Sequence, residues 1–166
     1  MTANDVRPRS SLALMIAGLA LIVVPLLAVA VKTASFGWFM VIALWTFYLP
    51  LLLLIGWIMQ IVIASTGFFG RRSLLAGRRG ANRAIAAAWL TSAGVLLVAL
   101  FFVDGGDTSW GSTFMYWTGT ASDQGVGAVS DLIAWIATIP WIGGWLWLLI
   151  EWIVAIVQRR RERRRG

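Results

Sequence analysis

Residues 11–31 form a run of 21 without a single charge, and an α-helix needs about 20 such residues to cross a hydrocarbon core. Three more long apolar runs follow, at 36–64, 84–103 and 128–157. The first run is too long for the ~7–15-residue hydrophobic region of a signal peptide, and the chain after it stays hydrophobic. Only 13% of the residues are charged and 60% are hydrophobic, whereas a soluble domain carries roughly a quarter charged and about half apolar. The expected fold is therefore all-α, an integral membrane bundle of four transmembrane helices in antiparallel order within one domain.

The segments between the runs fix the expected orientation. Thirteen arginines fall in the N-terminus, in residues 65–83 and in the tail at 158–166, while Lys32 stands alone on the opposite side. Cytoplasmic loops carry the excess of Lys and Arg, so both termini are expected inside. Arg71, Arg72, Arg78, Arg79 and Arg83 anchor a basic cytoplasmic loop, and Arg159, Arg160 and Arg161 begin a basic tail. Residues 104–127, with Asp104, Asp107 and Asp123 and no Lys or Arg, form one longer acidic and aromatic outer loop. The net charge of +7 then reads as topology anchoring beside anionic lipid headgroups, each basic residue contributing about 1 kcal/mol of attraction. No nucleic-acid partner is expected. The preference for Arg over Lys fits a GC-rich bacterial genome, and the expected location is a bacterial plasma membrane.

Chemistry is sparse. Cys and His are both absent, which removes the usual ligands for zinc, copper, haem and iron–sulfur clusters and the commonest acid–base residue. No P-loop, GxSxG or HExxH motif occurs, so neither cofactor nor enzymatic activity is expected. The outer-loop aspartates lack the density of a calcium loop and read as solvated charge.

A few residues remain as candidates. Glu151 lies deep enough in an apolar run to serve as a proton or cation site, although its nearness to the tail places it at headgroup level, within reach of Arg159. Asp131 is expected to cap the fourth helix, and Gln60 to make a helix–helix hydrogen bond. Ala84, Ala88 and Ser92 form a stripe that permits close helix approach. Pro50 should kink the second run. Gly143 and Gly144, beside Pro140, mark either a close crossing or an unwound site of the transporter kind. Of eleven tryptophans, Trp38, Trp110, Trp117, Trp141, Trp145, Trp147 and Trp152 gather at expected span ends, as interfacial indoles do. Trp110, Phe114, Met115, Tyr116 and Trp117 place an aromatic surface in the outer loop, suited to a partner or lipid.

The expected function is a non-catalytic accessory or scaffolding subunit of a larger membrane protein complex. The alternative is a small transporter or oligomeric pore, ion-coupled or holin-like.

Overall fold

A computed structural model describes residues 9–35, 37–46, 48–69, 73–75 and 80–164. Arg71, Arg72, Arg78 and Arg79 lie outside the described residues. The chain is mostly helical: α1 (Arg9–Lys32), a 3-10 turn (Thr33–Ser35), α2 (Trp38–Trp45), α3 (Tyr48–Ile63) continued by a π-helical turn (Ala64–Phe68), α4 (Ala81–Phe101), a two-residue hairpin of β1 (Asp104–Gly105) and β2 (Trp110–Gly111), α5 (Thr113–Thr118) and α6 (Gln124–Arg163). Four helical stretches are long and apolar enough to cross a membrane, at Leu12–Ser35, Pro50–Phe68, Ala81–Phe101 and Gln124–Arg163. In lipid the helix is favoured because it pairs its own backbone groups where no water can.

The second run does not cross as one helix. The ring of Pro50 clashes with the carbonyl four residues back, and its missing N–H would have bonded there. That residue is Thr46, which ends α2. Pro50 thus sits in the first turn of α3, where a proline costs little, and the expected kink is a break. Leu51, Leu52, Leu53, Leu54 and Ile55 are all exposed. Five successive positions circle a helix completely, so this part of α3 stands clear of its neighbours. Lower down, α3 returns to α1, where the Trp57 indole donates to the Ile22 carbonyl at 3.1 Å. Ile22 lies in the turn before Pro25, a proline inside α1.

The core lies among α1, α4, α6 and the C-terminal end of α3. Leu14, Ala17, Leu21, Ile63, Phe68, Ala84 and Ala88 are buried together, with Leu75 from the basic segment inserted among them. Ala84, Ala88 and Ser92 are all buried, as their spacing predicts. Helix α4 packs most extensively on α6, and small residues set the spacing. A Cβ on Gly144 would stand 2.8 Å from Thr91 Oγ1 and 2.9 Å from the Ala87 carbonyl oxygen. A Cβ on Gly94 would stand 2.6 Å from the Trp141 backbone nitrogen.

Helix α6 runs unbroken through Pro140, Gly143 and Gly144, so there is no unwinding, and Gly144 marks a close crossing. Two further expectations are corrected. The helix starts earlier than its hydrophobic run, so Asp123 caps it, accepting from Val126 N at 2.9 Å, and Asp131 lies beyond the first turns. Trp141 lies opposite Gly94 in mid-helix, not at a span end. Gln60 is buried, yet its carbonyl oxygen has no hydrogen-bond partner among the described residues.

Filling the crossing should therefore separate the two glycines. Gly144→Leu is expected to destabilise the fold by about 1–3 kcal/mol through overpacking. Gly143→Ala, whose new methyl meets nothing within 4 Å, is expected to be neutral or stabilising by up to ~1 kcal/mol. Unfolding in detergent by SDS titration, followed by circular dichroism, measures both.

Candidate functional site

At the end of the bundle opposite the arginine tail, residues 104–123 fold back as a cap over the helix ends. A helix leaves its last carbonyls without partners, and those of α1 and α4 finish here together. Lys32, in the last turn of α1, is only 6% exposed. Its ammonium donates to the Phe102 carbonyl at 2.9 Å and to Ser35 Oγ at 3.1 Å, and lies 5.2 Å from the centre of the Phe102 ring. A cation at a helix C-terminus is electrostatically favoured. Asp104, 5% exposed, lies within Coulombic reach of it.

Hydroxyl groups extend this contact in a fixed sense. Each hydroxyl has one proton to give. Thr113 Oγ1 donates its own to the Val31 carbonyl at 3.1 Å, so Ser35 is the donor in the 2.8 Å bond between Ser35 and Thr113. The order is Lys32, Ser35, Thr113, then carbonyl. A second chain runs beside it. The Met115 amide donates to Ser112 Oγ at 3.3 Å, Ser112 donates to Ser130 Oγ at 2.7 Å, and Ser130 donates to the Phe101 carbonyl at 3.0 Å. Ser112 and Thr113 are fully buried. Both chains end on carbonyl oxygens, which accept and pass nothing on. Ser35 has its proton committed to Thr113 while Lys32 donates to it, so this pair ties the end of α1 to the cap.

Asp104 is buried, which corrects its reading as solvated charge, while Asp107 and Asp123 stay exposed and also hold hydrogen bonds. The first residue before α2 is Gly37, which has no side chain to cap the helix. Asp104 supplies the cap from 64 residues away, accepting from the Met40 amide at 3.3 Å. A Cβ on Gly37 would stand 2.6 Å from the Asp104 carboxylate carbon, so only glycine admits the loop here. Asp107 accepts from the Trp38 indole at 2.9 Å. Asp123 caps α6.

The five aromatic-loop candidates divide. Met115 is completely buried, Trp110 covers Gly127, and Phe114 packs on Phe101 with ring centres 5.1 Å apart. Tyr116 and Trp117 face outward on α5, Trp117 being 63% exposed. The short helix is held at both ends, by Ser112 before it and by left-handed Gly119 after it. Sequence patterning does not separate these five, because burial here is decided by the hairpin and by α6.

Glu151 lies at the other end of α6. Its Oε1 accepts from Arg83 Nε at 2.9 Å and from the Trp147 indole at 3.3 Å. The partner is Arg83, in the first turn of α4 rather than in the basic loop. Nearby, the Trp152 indole donates to Thr66 Oγ1 at 2.8 Å. Arg160 and Arg161 are exposed and Arg159 half-buried along the last turns of α6. Among the described residues no three acidic side chains gather as a metal site would require. No family model, curated protein or solved structure matches the chain.

Lys32→Met is expected to loosen the cap, because it removes the ammonium's hydrogen bonds to the Phe102 carbonyl and to Ser35 Oγ, at a cost of about 1–3 kcal/mol. Hydrogen–deuterium exchange should speed up at residues 104–120 while the middle of α4 stays protected. Equal exchange in both proteins would show that Lys32 does not hold the cap.

Proposed function

We propose that this protein is a non-catalytic scaffolding subunit of a larger membrane complex, docking a partner through the exposed face of its cap. The observation that carries the reading is the contrast within α5. Met115 and the two hydroxyl chains fix the helix from below, while Trp117 and Tyr116 are left outward on the fixed platform. Large aromatic side chains on rigid supports are what interface hot spots are made of. An ordered loop also avoids the conformational cost of ordering on binding.

The orientation proposed is both termini in the cytoplasm of a bacterial cell and the cap outside, supported by the distribution of arginines. The absence of cysteine makes this direct to test. Thr108→Cys in intact cells should react with a membrane-impermeant maleimide, and Arg164→Cys should react only after permeabilisation. The reverse pattern would invert the orientation.

Solubilisation in mild detergent should recover a stoichiometric membrane partner. Trp117→Ala should lower that recovery by tenfold or more, a cost of at least ~1.4 kcal/mol, without changing thermal stability. A lone monodisperse species from every mild extraction would sink the scaffold reading.

A further inference from the structure

The face of the α4–α6 pair away from the cap carries a groove that the packing leaves empty. Its volume is about 500 Å³, and its walls include Leu90 on α4 and Ile139 and Trp147 on α6. Leu90, Ile139 and Trp147 are about half exposed or more, so the groove opens sideways toward lipid. Gly143 lines it and is exposed, and a Cβ there would meet nothing within 4 Å, so the space beside it is open. The neighbouring Gly144 has that space filled by α4. One glycine of the pair therefore brings the helices together, and the other leaves a channel beside the contact.

Arg83 closes the groove at its polar end. Its side chain is 61% exposed, and the pair with Glu151 engages Nε, while the Glu151 side chain is only 13% exposed. The guanidinium has four further N–H donors, and guanidinium with phosphate makes strong, often bidentate, hydrogen bonds. Arg83 and Leu90 are seven residues apart, about 10 Å along the helix. One leaflet is roughly 15 Å deep, so the groove runs from headgroup level most of the way to the midplane. A cation at the headgroup and an apolar channel beneath it match one kind of molecule.

We infer that this groove binds one anionic phospholipid, its acyl chain lying over Gly143 and its phosphate on Arg83. Glu151 orients the guanidinium from the buried side, and the lipid takes the exposed side. The site lies at the opposite end of α6 from the cap, so its failure and that of the scaffold reading are separable.

Native mass spectrometry of the full chain in detergent, titrated with dioleoyl phosphatidylglycerol or dioleoyl phosphatidylcholine, tests it. The expected result is one retained phosphatidylglycerol, preferred about tenfold over phosphatidylcholine. Arg83→Gln should abolish the preference. Glu151→Gln should keep it, because it leaves the guanidinium in place; equal loss in both variants would reduce Arg83 to a partner of Glu151 and overturn the proposal. Gly143→Leu should displace the lipid by filling that open space. Ala86→Leu, from the α4 wall, does the same should the first variant fold poorly. Unchanged phosphatidylglycerol binding in a folded groove-filling variant, or equal retention of the two lipids by the unmodified chain, would overturn the site.

Discussion

The closeness of α4 to α6 is the constraint on which the other features rest. Hydrophobic driving force between helices is weak in lipid, so association depends on van der Waals contact and on what small residues allow. With Gly144 against Ala87 and Thr91, and Gly94 against Trp141, the two backbones approach as closely as side chains permit. The consequences appear at both ends. At one, Ser130 reaches the Phe101 carbonyl. At the other, Glu151 reaches Arg83. A wider crossing would part both pairs.

The cap follows a second rule, that polar groups taken from water must find partners. Helix ends at a membrane surface carry orphan carbonyls, and here a lysine and hydroxyl side chains meet three of them. The same residues then serve as the foundation of the loop. Most of the polar side chains that look idle along the sequence are used in this way, and three buried atoms, Gln60 Oε1, Ser92 Oγ and Trp145 Nε1, are exceptions among the described residues.

The parts of this architecture visible in the sequence are those governed by length and local charge. Apolar runs of bilayer length give the four helices, and Ala84, Ala88 and Ser92 give a packing face, because both depend on one segment at a time. Pro50 pointed to the right place in the second run, though the outcome is a break at Thr46. What depended on distant partners stayed hidden. Asp104 looks like any loop carboxylate until the fold brings it to Gly37, and Lys32 looks like a surface cation until Phe102 covers it. Likewise nothing local distinguishes Met115 from Trp117, or Gly143 from Gly144. The cap falls at Asp123 and not at Asp131 because the backbone turns helical at Gln124, four residues before the hydrophobic run begins at 128.

The unbroken length of α6 has one more implication. Ser130, bonded into the cap, and Glu151, bonded to Arg83, stand 21 residues apart on that helix, about 31 Å at the usual rise. Both levels are tied sideways to α4, so neither can slide independently. The α4–α6 pair is therefore held in register over that length, and a rigid bundle meets a thinner or thicker bilayer by tilting as a whole or by deforming the lipid around it.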